Sequence, residues 1–206
     1  MRDLPEFPAG AFARIDESDD GAFYRPARLV THIDDGAIAE LAHFYGKVLP
    51  QGGALLDLMS SWVSHLPDDF AVTELVGHGM NAEELAANSR LTQRFVQDLN
   101  RDPLLPLTAE SFDGAMCCVS VQYLQRPVEV FAEVHRVLKP GAPFVVSFSN
   151  RCFPTKAVAI WRALDINGHA TLVHLYMERA GFPAVDVRAL SNGAYCDPLI
   201  AVIGRA

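Results

Sequence analysis

Four short runs in this sequence hold residues whose type and spacing could do chemistry. In Leu55-Leu56-Asp57-Leu58-Met59-Ser60-Ser61-Trp62 an apolar strand runs into a loop with an acid at its end and two hydroxyls behind it. Hydroxyls, joined by backbone N–H groups at the start of a following helix, can receive a carboxylate. In Val76-Gly77-His78-Gly79-Met80-Asn81 the spacing Gly77-x-Gly79-x-x-Ala82 satisfies the dinucleotide fingerprint, with Asp98 about 20 residues further on. That fingerprint belongs on the first strand of a sheet, yet Ala54 to Leu58 precedes it, and no Tyr-x-x-x-Lys pair for hydride transfer follows. The third run ends in Asp98-Leu99, and the fourth, Val119-Ser120-Val121-Gln122-Tyr123, closes a long apolar stretch.

Of the seven histidines, His65 stands close behind the first run, where it could serve as a general base or touch a substrate. Packing or helix capping is the commoner role of such a residue. His169 and His174 are five apart, off the spacing that sets two zinc ligands on one helical face, so no metal site is expected. The four cysteines, Cys117, Cys118, Cys152 and Cys196, form no Cys-x-x-Cys pair. An adjacent pair within an apolar segment reads as buried thiols, and a reducing cytoplasm is the default expectation. The net charge of −8 and the lack of a Lys/Arg cluster argue against a nucleic-acid partner, which needs a basic stripe to neutralise phosphates. Met1 to Gly10 has no apolar run behind a basic start, and no stretch approaches a membrane-spanning length.

These runs need elements to hold them. Half of the 206 residues are apolar and a fifth are charged, the usage of one globular domain with a full core. Asp34-Asp35 can cap a helix whose apolar positions Ile38, Leu41, Tyr45 and Val48 step by three and four. Ala54 to Leu58 and Ala71 to Val76 read as strands, Ala82 to Asn88 as a helix, and Arg94 to Asp98 as a third strand. Phe112 to Val121 is an unbroken apolar run, the mark of a central strand covered on both faces. Pro127 to Leu138 is the clearest helix, with proline at its start and Phe131, Val134 and Leu138 on one stripe, and Lys139-Pro140-Gly141 stops it. Phe144 to Phe148 is the next strand, Thr155 to Leu164 and Thr171 to Ala180 read as helices, and Ala184 to Leu190 with Leu199 to Gly204 forms a closing pair. Alternating strands and helices predict an α/β fold with a largely parallel sheet. Residues 1–33 form an N-terminal arm and 34–206 the domain. The arm's run from Phe23-Tyr24-Arg25-Pro26 to His32 either folds over a pocket as a lid or, more commonly for such a segment, packs on the sheet.

From Gly52 onward this order of elements resembles the class I S-adenosylmethionine-dependent methyltransferases, in particular the broad small-molecule group called type 11. The most specific stretch has Ser111-Phe112-Asp113 leading into a strand, Arg126-Pro127 opening a helix, and Glu133-Val134-His135-Arg136-Val137-Leu138-Lys139-Pro140-Gly141 running into the next strand. The resemblance implies a Rossmann-like three-layer sandwich around a mostly parallel seven-stranded sheet, with one strand of the closing pair antiparallel. It also implies S-adenosylmethionine as cofactor, held by Asp57, Leu58, Met59, Ser60, Ser61, Gly79, Met80, Asn81, Asp98, Leu99, Val119 and Ser120, and a small-molecule acceptor.

Two departures from the family pattern stand out. Where the family has Asp-x-Gly-x-Gly-x-Gly, this chain has Asp57-Leu58-Met59-Ser60-Ser61-Trp62-Val63, without any of the glycines that let a backbone approach a ligand closely. Either Ser60 and Ser61 replace the lost contacts, or the loop has closed and the fold serves a non-catalytic or altered-ligand role. Gly79 falls where the family places an acid for the ribose hydroxyls, leaving Asn81 or Glu83 as substitutes, while Asp98 matches the residue that pairs with the adenine amino group. The Asn/Asp-Pro-Pro-Tyr motif of amide and nucleobase N-methylation is absent. No catalytic residue is assigned, because methyl transfer from a sulfonium needs chiefly alignment.

Overall fold

The structure is a computed structural model that describes residues 6–206. The arm's residues 1–5 lie outside the described range. Helices α1 (Asp20–Tyr24) and α2 (Asp35–Val48) precede strand β1 (Ala54–Asp57). Then come β2 (Glu74–Gly79), α3 (Ala82–Ala87), β3 (Gln93–Val96), β4 (Gly114–Cys118) and α4 (Pro127–Val137). The chain closes with β5 (Pro143–Ser149), α5 (Ala159–Ala163), α6 (Ile166–Ala180), β6 (Ala184–Ser191) and β7 (Leu199–Arg205). The seven strands run in the order β3-β2-β1-β4-β5-β7-β6. Pairing is parallel from β3 through β5, and β7 is antiparallel to both β5 and β6. This is the seven-stranded α/β sandwich that the sequence resemblance implies.

Each face of the sheet has its own core. Along β5 the side chains alternate, so Phe144, Val146 and Phe148 enter one apolar cluster while Val145 enters the other. On the first face α4 buries Phe131, Val134 and Val137, and the Phe131 ring meets Phe144 at 5.0 Å and Tyr176 of α6 at 6.0 Å. Each such fully buried side chain stabilises the fold by about 2 kcal/mol. On the second face α2, capped as expected by the Asp34 carboxylate on Ala37 N–H, buries Leu41 and Tyr45.

Several boundaries differ from the sequence expectation, β3 among them, which spans Gln93–Val96 and stops short of Asp98. The second strand starts at Glu74 rather than Ala71, because Ala71 O and Thr73 N–H bond Gly52 and Gly53 in the turn before β1. The central strand spans only Gly114–Cys118: Phe112 makes an isolated bridge to Leu138, and Val121–Tyr123 is a 3-10 turn. Within Thr155 to Leu164 only Ala159–Ala163 is α-helical, and α6 begins five residues early because the Asp165 carboxylate caps Gly168 N–H. No helix follows β1. Pro67 biases Leu66 away from helical geometry, His65 lies at φ 54°, and Arg90 donates to the carbonyls of Pro67 and Phe70 at 3.0 and 2.7 Å. The helix start expected to offer N–H groups behind Ser60 and Ser61 therefore does not exist.

Candidate active site

A cleft of about 1160 Å³, counted out to its open mouth, lies at the carboxyl ends of β1 to β4. The strand order reverses between β1 and β4, and open α/β sheets bind ligands at such a point. Every residue expected at the site lines this cleft except Leu58. Leu58 is fully buried in the core, its N–H bonded to Met116 O, because strand alternation turns it away from its neighbour Asp57.

Asp57 is the floor of the cleft and only 3 % exposed. The Ser60 hydroxyl donates to its carboxylate at 2.6 Å. Burial pushes the Asp57 pKa up to about 7, against the lowering effect of the Ser60 and Ser64 hydroxyls. Among the described residues no lysine or arginine pairs with it. A buried carboxyl without a counter-charge holds its proton near neutrality, and a cation brought beside it would release that proton.

The loop after β1 is fixed by β2. Met59 N–H donates to His78 Nδ1 at 3.1 Å, and His78 Nε2 meets Gln97 O at 2.9 Å. Those partners assign the ring proton to Nε2, and burial pushes the His78 pKa down to about 4, so the ring is a neutral bridge between three strand ends. Ser60 N–H continues the contact, donating to His78 O at 2.6 Å. A side chain at Gly79 would strike Ser60 O, and one at Gly77 would strike the Leu91 side chain. Packing thus accounts for both glycines of the apparent dinucleotide fingerprint, which lies on the second strand.

Neither substitute for the missing ribose acid is free to act. Asn81 Oδ1 caps α3 by accepting from Glu83 and Glu84 N–H, and its Nδ2 donates to the carbonyls of Tyr24 and Arg25. Glu83 is exposed and outside the cleft. Glu84, which does line it, accepts from the Ser61 hydroxyl and from Arg28 N–H, both at 2.7 Å. Asp98 lies two residues beyond the end of β3, and its Oδ1 accepts from Asn100 N–H at 2.9 Å. Ser120 donates to Cys118 O at 2.6 Å and to Met59 O at 3.2 Å, joining the loops after β4 and β1.

Strain gathers here. Four described non-glycine residues have positive φ, and three of them, Met59, His65 and Val119, line the cleft. For β-branched Val119, at φ 41°, the conformation is a true outlier of the kind held at functional sites by surrounding structure.

The sequence reading missed how far the N-terminal segment builds the site. Asp20, Tyr24, Arg28 and Val30 to His32 all line the cleft, so the run from Phe23 to His32 walls the pocket. Asp20 accepts from Arg14 at 2.7 Å and from Asn100 at 3.2 Å, and fully buried Lys156 reaches it at 3.1 Å. Trp62 Nε1 donates to Val30 O at 3.0 Å. The only sequence signal for this was the aromatic and basic mix of the run itself.

Comparison with known proteins bears on the fold. Residues 61–146 match the family model described as a methyltransferase domain. Over 65 residues the chain is 35% identical to the biotin biosynthesis bifunctional protein BioHC of Teredinibacter turnerae, a segment covering 32% of this chain and 11% of that protein. The chain therefore spans about a tenth of the length of the curated relative it matches. An S-adenosylmethionine-dependent methyltransferase from Mesorhizobium loti superposes with a TM-score of 0.57 at 20% identity, covering 84% of this chain and 99% of that one. Phosphoethanolamine N-methyltransferase 2 of Haemonchus contortus, solved with S-adenosyl-L-methionine, superposes with a TM-score of 0.58 at 12% identity, covering 81% and 52%. The chain has the fold of class I S-adenosylmethionine-dependent methyltransferases, and the group that the Haemonchus enzyme holds is S-adenosyl-L-methionine. Asp57 fits that group: a buried acid without a counter-charge meets a ligand carrying an ammonium and a sulfonium. No helix among the described residues is long and apolar enough to cross a membrane.

Proposed function

We propose that this protein is a methyltransferase that binds S-adenosylmethionine and acts on a small molecule. The observation that carries the reading is Asp57, a carboxyl 3 % exposed at the topological switch point and without a cationic partner among the described residues. The cofactor would supply an electrophilic methyl group on a sulfonium. Asp57 would hold its ammonium, Asp98 and Leu99 its base, and Met59 to Ser61, Gly79 to Asn81, Val119 and Ser120 the walls between. The described part of the arm, residues 6–33, acts on this reading as a roof over the domain 34–206. Four free thiols suit a reducing cytoplasm, the compartment we assign.

The test is a calorimetric titration with S-adenosylhomocysteine, with NAD as control. Binding of the former alone, with a dissociation constant in roughly the micromolar range, supports the reading. One observation favours a second reading, a descendant of the fold with an altered ligand or none: Ser60 O lies where a side chain at Gly79 would stand. Absence of heat from S-adenosylhomocysteine would select that one.

A further inference from the structure

The two edges of the sheet are unlike. β3 offers four residues with one charge, Arg94. β6, at the other end, runs for eight residues and is paired along one side, to β7. Every second residue of such a strand turns its N–H and C=O outward, a template for another chain. Proteins blunt such edges with short strands, proline or charge. β6 is long and has no proline, and its two charges, Asp186 and Arg188, are of opposite sign. Val187 between them is 40 % exposed. The side chains of Asp186 and Arg188 are 65 % and 57 % exposed and approach each other at 3.5 Å, while Arg188 also donates to Val187 O at 3.0 Å. A carboxylate facing Arg188 from outside could replace both contacts.

The order of these residues is self-complementary. When a strand pairs antiparallel with its own copy about a two-fold axis, residues equally far from the axis stand opposite one another. With the axis at Val187, Asp186 of each copy faces Arg188 of the other, Val187 faces Val187, and Val185 faces Ala189. An axis one residue away sets Asp186 against Asp186 or Arg188 against Arg188, and parallel pairing in register does both, so charge selects one register. The faces sort in the same way. Val185 and Val187 stand beside Gly204 and Val202, on the side of the sheet where Val185 and Val202 join the cluster that holds α6. Asp186 and Arg188 stand beside Ile203 and Ala201, on the side of the other cluster. Pairing would therefore make one apolar strip on one face and two ion pairs on the other. A bulge between Ala189 and Ser191 ends the regular stretch. Just beyond it the fully exposed Tyr195 borders a groove with Ala189 and Leu190, which extends the apolar surface of this edge.

We infer that β6 is an interface between two copies of this chain, joined antiparallel about Val187 into one continuous sheet. The cleft lies at the carboxyl ends of β1 to β4, with β5 and β7 between it and β6. It stays open in this arrangement, so the inference stands apart from the proposed function. A ladder over residues 185–189 is a small contact, and a dissociation constant of roughly 10 μM is expected.

Sedimentation velocity of the full chain between about 1 and about 200 μM should show monomer passing into dimer and nothing larger. Asp186→Arg and Arg188→Asp each set two like-charge pairs across the axis, and each should weaken the dimer by more than about tenfold. An equimolar mixture of the two variants places opposite charges at both positions again and should recover the dimer, as should the double variant Asp186→Arg/Arg188→Asp. Amide exchange at alternate residues of β6 should slow in the parent protein as concentration rises. Both substitutions fall on exposed side chains, and an unchanged thermal transition checks that each variant folds. A parent chain that stays monomeric, a dimer that both single variants leave intact, or a mixture that associates no better than either variant alone overturns the inference. Should a variant fail to fold, exchange in the parent decides, and β6 amides that do not slow overturn it.

Discussion

The carbonyl oxygen of Ser60 lies 2.5 Å from the point where a β-carbon on Gly79 would stand. Glycine at the end of β2 is therefore a condition of the path taken by the loop after β1. Reintroducing the family's acid forces backbone to move, since Ser60 N–H is also tied to His78 O. Gly79→Asp is expected to cost roughly 2 kcal/mol, the usual penalty for overpacking, and to weaken S-adenosylhomocysteine binding. Urea unfolding and calorimetry read the two effects; a gain in affinity would show that the loop moves freely.

Asp57 makes a prediction about pH. Its folded pKa of about 7 stands above the ordinary 3.8, so between those values the folded state keeps a proton that the unfolded chain has lost. Its contribution to stability therefore falls as pH rises from about 4 to about 7, by at most roughly 1.4 kcal/mol per unit, and is level above that. Asp57→Asn should remove this slope and be the more stable protein at pH 8. Chemical denaturation of both proteins across that range isolates the difference, because other carboxylates titrate alike in each.

Asn81 has two separable duties. Its Oδ1 caps α3, and its Nδ2 holds the carbonyls of Tyr24 and Arg25. Asn81→Asp keeps the cap and loses the donor, so amide hydrogen exchange should accelerate in residues 23–32 while α3 stays protected. Asn81→Ala loses both, at a further cost of about 1 kcal/mol.

Lys156, fully buried, places its Nζ 2.8 Å from Ser18 O, 3.1 Å from Asp20 and 3.2 Å from Asp16. Removing one partner of a buried ion network leaves charge uncompensated, so Lys156→Met is expected to cost roughly 3 kcal/mol. A urea midpoint unchanged from the parent would mean that Arg14 alone suffices for Asp20.

Much of this was legible in the sequence. The helix from Pro127 to Val137 and the strand from Pro143 carry strong local periodicity, and strand ends in an α/β sheet fix the place of a cleft, so Asp57, Gly79, Asp98 and Ser120 fell along its lining without any contact being known. Two kinds of information were hidden. The absence of a helix after β1 depends on Arg90 reaching carbonyls 20 and 23 residues away, a tertiary override of local pattern. The roof of the site depends on pairs such as Ser18 with Lys156, 138 residues apart, which no local spacing encodes.

That separation also sets an order of events. The segment from Arg14 to His32 is tied to the loops after β1, β2, β3 and β5 through Trp62, Asn81, Asn100 and Lys156. None of those anchors is in position until the sheet has assembled, and closing so long a loop has an entropic cost that only finished partners offset. The segment that precedes the sheet in sequence is the last to find its place, and until it does the cleft is an open trough.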